Sequence, residues 1–127
     1  MTLSRFELFS PAHLDEAVAL LKEKGKDTFV MAGGTDLLIK RRHQIIHPKT
    51  IVSLKKIDGL NRISFSRNKG LVIGATALLA DVARHRTILK HYPAIARAAT
   101  NTANVQIRNM GTLVGNLCNA SPAADNA

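Results

Sequence analysis

One short segment constrains the fold of this chain most: an apolar run that ends in two adjacent glycines. Residues 28–32 read Thr-Phe-Val-Met-Ala and lead directly into Gly33 and Gly34. β-Branched and aromatic residues favour a buried strand over 28–32. Because glycine lacks a Cβ, the pair lets main-chain N–H groups approach another group closely. The segment therefore predicts a strand, a tight turn and then a short helical turn over 36–42.

This first turn is a candidate phosphate site. Thr35 adds a hydroxyl, and the helical turn behind it supplies free N–H groups and a favourable dipole. The segment is not a Walker loop, because no Gly-Lys-Ser/Thr follows, and it lacks the three spaced glycines of the Rossmann pattern. An alternative stays open at this point, since glycines between a strand and a helix also serve simply to relieve strain.

A second glycine-containing segment, residues 106–117, has similar chemistry. Gly111 and Gly115 bracket the hydroxyl of Thr112, and Asn116 adds an amide. Polar amides in a stretch otherwise rich in Leu and Val favour a buried, ligand-facing course over a polar surface loop. If both turns serve one anionic ligand, they must converge in space.

The first 55 residues are predicted to form a β-α-β-β lobe. Its strands are residues 6–9, 28–32 and 50–54. An apolar i, i+3, i+4, i+7 stripe marks a helix between the first two strands. The helix is expected to start at Ser10 and Pro11, as N-cap and first helical residue, and to end at Gly25.

Residues 56–127 are predicted to begin a second α+β lobe. Its expected elements are a hairpin of 62–65 with 71–74 and two helices at 78–85 and 94–101. Residues 106–127 are dense in Gly, Asn, Ser, Thr and Pro, which predicts irregular backbone. Because an ordered domain seldom stops in such a loop, we expect a truncated lobe.

Charge and composition narrow the function classes. Eighteen Lys and Arg against nine Asp and Glu give a net charge of +9, which attracts phosphates, acidic proteins and nucleic acid alike. A binder of single strands needs exposed aromatic rings, whereas the four Phe lie in apolar runs that read as core. A nucleic-acid function is therefore disfavoured. A single cysteine and the lack of an apolar run near ~20 residues favour a cytoplasmic protein without a membrane span.

Three motifs together resemble the medium, FAD-binding subunit of the molybdenum hydroxylases, the family of xanthine dehydrogenase and carbon monoxide dehydrogenase. The motifs read AGGTDL at 32–37, IRNMGTLVGNL at 107–117 and ASPAAD at 120–125, with Gly74-Ala75-Thr76 between the first two. The resemblance runs from the N-terminal strand to the last residue and implies the N-terminal portion only of such a subunit. The fold that it implies is α+β, the vanillyl-alcohol-oxidase or PCMH-type FAD-binding fold in truncated form.

The resemblance also implies which residues hold FAD. The two turns would wrap the diphosphate with Val30, Met31, Ala32, Gly33, Gly34, Thr35, Asp36 and Leu37, and with Thr112, Leu113, Val114, Gly115 and Asn116. Asp125 would contact the nucleotide end, and Thr102 would lie at the flavin site. Val114 departs from the family, which usually has glycine there; at φ > 0 a β-branched residue would be strained by about 1–2 kcal/mol.

Electron transfer is the function that the resemblance implies. A molybdopterin-binding large subunit would oxidise the substrate, an iron–sulfur small subunit would relay electrons, and FAD in this chain would pass them to NAD or another acceptor. FAD is the cofactor expected here, with no catalytic side chain and no metal ligand. The alternative is a truncated, non-catalytic remnant or protein-interaction module that no longer binds flavin, which both the truncation and Val114 would favour.

Overall fold

The computed structural model describes residues 5–122, 124 and 126, and its architecture is α+β. The elements are β1 (Glu7–Phe9), α1 (Leu14–Lys24), β2 (Thr28–Met31), α2 (Thr35–Arg42), β3 (Thr50–Ser53), β4 (Ile63–Ser66), β5 (Gly70–Ile73), α3 (Leu79–Arg84), α4 (Arg86–His91), α5 (Pro93–Asn101), α6 (Val105–Arg108) and α7 (Leu113–Asn119). A 3-10 turn, Gly25–Asp27, joins α1 to β2. None of the helices in this described part is both long and apolar enough to cross a membrane.

The N-terminal lobe is built on a parallel sheet of order β1-β3-β2. Ile51 and Val52 of the central strand β3 are fully buried, as expected for a parallel strand with neighbours on both sides. Val52 packs with Ala17 of α1 and with Ile57 in one apolar cluster. The predicted strands of the β-α-β-β lobe are thereby confirmed, and the sheet directs β2 toward the first turn.

The second region contains an antiparallel hairpin and a helical cluster. β4 pairs with β5, with Ile63 opposite Ile73. The buried cluster beside it is formed by residues of α3, α4 and α5 and the segment before them: Ala77, Leu79, Val82, Ile88, Ala96 and Ala99. Phe65 was expected in the core but is 42% exposed, where its ring stacks on His91. The lobe boundary between residues 55 and 56 stays a prediction.

The first helix begins later than the sequence suggested. α1 starts at Leu14, with His13 as N-cap and no side-chain capping bond. The prediction that Ser10 and Pro11 start the helix was therefore wrong. Pro11 is buried, so its packing, and not a helix cap, determines the course of the backbone before α1. The carboxylate of Glu16 instead accepts the N–H of Ala12 at 3.2 Å.

Irregular backbone over 106–127 was also a wrong prediction. Two short helices, α6 and α7, occupy much of this segment. Each is capped by the side chain before it: Asn104 Oδ1 accepts the Ile107 N–H at 2.9 Å, and Thr112 Oγ1 accepts the Gly115 N–H at 3.0 Å. Such caps stabilise a helix N-terminus and offset the poor helix propensity of Gly and Asn.

Candidate functional site

The two glycine-containing turns meet in space. A Cβ added to Gly33 would lie 2.5 Å from the Met110 carbonyl oxygen and 2.8 Å from the Gly111 Cα, so only glycine permits this approach. On the other side, a Cβ on Gly111 would lie 3.5 Å from Thr35 Oγ1. The convergence that a shared ligand requires is therefore present, and we call this meeting point, residues 32–35 with 110–115, the glycine junction.

The first turn leaves main-chain donors open. Gly34 is the N-cap of α2 at φ +82°, and no side chain caps this helix. The first main-chain bond inside α2 runs from the Leu38 N–H to the Gly34 carbonyl at 3.0 Å. The N–H groups of residues 35–37 therefore have no acceptor within the helix. With the positive end of the helix dipole behind them, these donors suit an anion.

The second turn instead satisfies one of its donors with a side chain. Thr112 is 4% exposed, and its hydroxyl oxygen accepts the Gly115 N–H at 3.0 Å. The Asn116 N–H donates to the Thr112 carbonyl at 3.0 Å. The turn is fixed to α3 by the Leu79 N–H, which donates to the Gly111 carbonyl at 2.9 Å. The second turn therefore uses the Gly115 N–H for its own cap and contributes a shaped wall to the cavity.

A cavity of about 790 Å³ lies along the glycine junction. That volume is in the range of about 300–1,000 Å³ typical of ligand pockets. The predicted site residues that line it are Val30, Met31, Ala32, Gly33, Gly34, Thr35, Asp36, Leu37, Thr102, Thr112, Val114, Gly115 and Asn116. Leu113 is not among them, because it packs against the helical cluster instead. Asp125 lies outside the described residues.

A polar network supports the far wall of the cavity. Asn126 Nδ2 donates to Thr102 Oγ1 at 3.0 Å and to Asn116 Oδ1 at 3.1 Å. The guanidinium of Arg108 donates to the carbonyls of Thr102 at 3.0 Å and of Ala103 at 2.8 Å. Arg108 therefore anchors main chain here, and the Asn116 oxygen is already engaged, so its Nδ2 group is the part left to serve a ligand.

Residues 4–127 match the family described as the FAD binding domain in molybdopterin dehydrogenase. The chain belongs to this family. The match covers both glycine-containing turns and the lobe that carries each of them. The family resemblance predicted from the three motifs is thus confirmed, and so is FAD as the family's cofactor.

Two relatives that resemble the chain are named as FAD subunits of dehydrogenases. The nicotinate dehydrogenase FAD-subunit of Eubacterium barkeri is 36% identical over 121 residues, 94% of this chain and 40% of the relative. The xanthine dehydrogenase FAD-binding subunit of Escherichia coli O157:H7 is 33% identical over 116 residues, 91% of this chain and 39% of the relative. The chain therefore spans about two fifths of the length of these relatives.

A solved structure of the family has the same fold. A chain of carbon monoxide dehydrogenase from Hydrogenophaga pseudoflava superposes with a TM-score of 0.92 at 32% identity. The match covers 99% of this chain and 44% of the other. The predicted fold class is thereby confirmed.

The residues present fit the diphosphate of the family's cofactor. The open N–H groups at the start of α2 face a cavity of sufficient volume, and the close-packed glycines keep side chains out of the glycine junction. Val114 lies in the first turn of α7 and is not among the residues with positive φ. The strain expected for a left-handed Val114 is therefore absent.

Sequence reasoning missed three polar residues of the cavity wall, Lys40, Asn119 and Ser121, of which the first two are bonded to each other. Lys40 Nζ donates to Asn119 Oδ1 at 2.6 Å. The pair is separated by 79 positions, and neither residue belongs to a spaced motif. No local signal in the sequence marks the two as neighbours.

Proposed function

We propose that this chain binds FAD by its diphosphate at the glycine junction, as part of the FAD-binding subunit of a molybdopterin-dependent oxidoreductase. The observation that carries the proposal is the uncapped start of α2, which opens into the cavity where the second turn meets the first. N–H groups that are buried without a partner cost free energy. An anion bound at the start of α2 would give these donors their acceptors.

Each turn has a distinct role in this proposal. The N–H groups of residues 35–37 and the Thr35 hydroxyl donate to phosphate oxygens, while Gly33 and Gly34 keep the path free of side chains. Residues 112–116 form the opposite wall, where the Asn116 Nδ2 group donates to the ligand. The proposal assigns Thr102 to the flavin side and Asp125 to the nucleotide side. FAD, when bound, supplies the redox chemistry, and the protein supplies its placement.

The wider assignment concerns the assembly that this subunit serves. We place the chain with a molybdopterin-binding large subunit and an iron–sulfur small subunit, from which electrons pass through FAD to NAD or another acceptor. The names of the relatives support this, since they are FAD subunits of nicotinate and xanthine dehydrogenases. The same proposal includes two lobes, residues 1–55 and 56–127, and a cytoplasmic location.

The alternative, a protein-interaction module that does not bind flavin, draws part of its support from Val114. That support is weaker now, because Val114 is helical and without positive φ, so it does not distort the second turn. Direct titration of the purified 127-residue chain with FAD separates the two functions. FAD binding is expected to quench flavin fluorescence and to shift the flavin absorption band.

A charge introduced at the start of α2 provides the specific test. In Thr35→Glu the new carboxylate interacts favourably with the helix dipole, so stability should not fall. The same carboxylate accepts the N–H groups that would otherwise bind phosphate, so FAD should bind at least about tenfold more weakly. The matched control is Thr87→Glu, which adds the same charge to the first turn of α4, away from the cavity. Folded wild-type chain that fails to bind FAD at millimolar concentration would refute the proposal.

A further inference from the structure

A lysine in the cavity wall has no role in the proposal so far. Lys40 lies near the end of α2, is half-buried and lines the cavity. Its ammonium donates to the Oδ1 atom of Asn119, the last residue of α7, at 2.6 Å. The bond joins the C-terminal ends of α2 and α7, whose N-terminal ends meet at the glycine junction. Lys40 and the open donors of α2 therefore line the same cavity.

The positive charge of Lys40 is not cancelled by an ion pair among the described residues. Asp36 lies four residues earlier on α2, the spacing at which helical Asp and Lys side chains commonly pair. The ion pairs formed by the described carboxylates nevertheless leave Lys40 out. Its ammonium bonds a neutral amide oxygen instead, which fixes the side chain while preserving its charge.

The lysine also differs from the rest of the cavity lining in its charge. Among the described lining residues, Lys40 is the one whose side chain is positively charged. One of its three N–H donors is used by Asn119, so two remain for other acceptors. A half-buried ammonium is screened less than one in water, so its field reaches an anion in the cavity.

We propose that Lys40 is a charge-compensating residue for the diphosphate held at this site, and that Asn119 positions it. The inference rests on the proposed function and adds to it a side chain that acts through charge. The bond between Lys40 and Asn119 could instead have a purely structural role and only join α2 to α7. In that case a variant that keeps this contact but neutralises the charge of Lys40 would bind FAD as well as wild type.

The first test removes the charge and keeps the aliphatic stem. Lys40→Met in the 127-residue chain should bind FAD about tenfold or more weakly, the value expected for losing a charge-assisted hydrogen bond, with a shallower dependence on salt. Inorganic pyrophosphate, used as a competitor, should lose affinity in parallel. Arg42→Met is the matched control, because it removes the same charge from an exposed position on the same helix that does not line the cavity. Its FAD affinity should stay within about twofold of wild type.

The second test strengthens the contact between residues 40 and 119 while neutralising the charge of Lys40. In Asn119→Asp the new carboxylate pairs with Lys40, so unfolding temperature should be unchanged or raised while FAD and pyrophosphate bind more weakly. Asn101→Asp, at the exposed end of α5 and outside the cavity lining, controls for net charge.

Three results would overturn the inference. FAD affinity in Asn119→Asp equal to or tighter than wild type would assign Lys40 a structural role only. Lys40→Met with unchanged affinity and salt dependence would remove the lysine from the site and leave the proposed function intact. A wild-type chain that binds neither FAD nor pyrophosphate would end the proposed function and this inference together.

Discussion

The two turns that meet at the cavity differ in how the helix that follows each of them is capped. In the first, Gly34 takes φ +82° and leaves the start of α2 without a side-chain cap. In the second, Thr112 caps α7 by accepting the Gly115 N–H. Turns of similar composition therefore differ in what they offer a ligand: the first keeps the N–H groups of residues 35–37 available, and the second uses the Gly115 N–H for its own cap. A capping side chain thus lowers the number of main-chain donors that a turn offers to a ligand.

The largest effect is expected where the two turns touch. In Gly33→Ala the new Cβ would lie 2.5 Å from the Met110 carbonyl oxygen and 2.8 Å from the Gly111 Cα, both main-chain atoms. The turns must separate, which should lower the free energy of unfolding by about 3 kcal/mol, as in other overpacked sites, and abolish FAD binding. Urea denaturation and FAD titration measure the two effects.

The control for that substitution is Gly25→Ala. Gly25 has φ +74°, but a Cβ there meets nothing within 4 Å. Gly25 also has ψ −156°, a region essentially restricted to glycine, so backbone strain of about 1–3 kcal/mol is expected, with FAD binding kept. FAD binding kept in Gly33→Ala as in Gly25→Ala would mean that the glycine junction is not tightly packed.

A pair of threonine substitutions tests the difference between the turns. Thr112→Val removes the cap of the Gly115 N–H and should lower the free energy of unfolding by about 1 kcal/mol. Thr35→Val, at the uncapped turn, should cost less than about 0.5 kcal/mol but weaken FAD binding. Thermal unfolding and FAD titration of both variants give the comparison. If Thr35→Val were the less stable of the two, the assignment of caps and donors would be reversed.

Val114→Gly tests the wall that the second turn provides. Val114 is half-buried and lines the cavity from α7. Its removal should lower the free energy of unfolding by about 0.5 kcal/mol through helix propensity, while FAD affinity rises because the side chain no longer narrows the cavity. Val105→Gly, on the exposed start of α6, controls for the helix effect. Unchanged FAD affinity in Val114→Gly would count against contact between the second turn and the diphosphate.

The smallest effect is expected at the end of β2 that is far from the first turn. Lys49 Nζ lies 2.8 Å from Asp27 Oδ2, and this hydrogen bond and charge lower the pKa of Asp27 and raise that of Lys49. The stability from Asp27 is complete above its unfolded pKa and is lost as pH falls through the lowered folded value. That from Lys49 is lost as pH rises through its raised value. Both groups are exposed, so the contribution is small and weakened by salt.

Asp27→Asn measures this contribution. The variant should lose a small part of the stability near neutral pH and show a slightly flatter decline in acid, as followed by thermal unfolding at several pH values. FAD affinity should not change, because Asp27 does not line the cavity. A change in FAD affinity would show that the sheet transmits strain to the first turn.

Local patterns were sufficient for the elements that carry a regular period. The strands of the parallel sheet, the hairpin β4–β5 and the helix α5 lie within a residue or two of their predicted positions. The same patterns failed for α4, which lies between two predicted helices, and for α6 and α7, where Gly and Asn argued against helix. In α6 and α7 the deciding interactions are single side-chain caps, which leave almost no period in the sequence.

The sequence by itself determined the family, the first strand-to-turn segment and the need for two turns to converge, because glycine requirements and apolar periods are local properties of the chain. Only the tertiary structure decided which turn has a side-chain cap and which turn leaves its main-chain donors uncapped. Whether an N–H is free, whether Val114 is strained and whether Lys40 meets Asn119 all depend on which groups distant in sequence are brought within hydrogen-bond distance. Hydrogen bonds act over about 3 Å, so they follow the folded path of the backbone and not the order of residues.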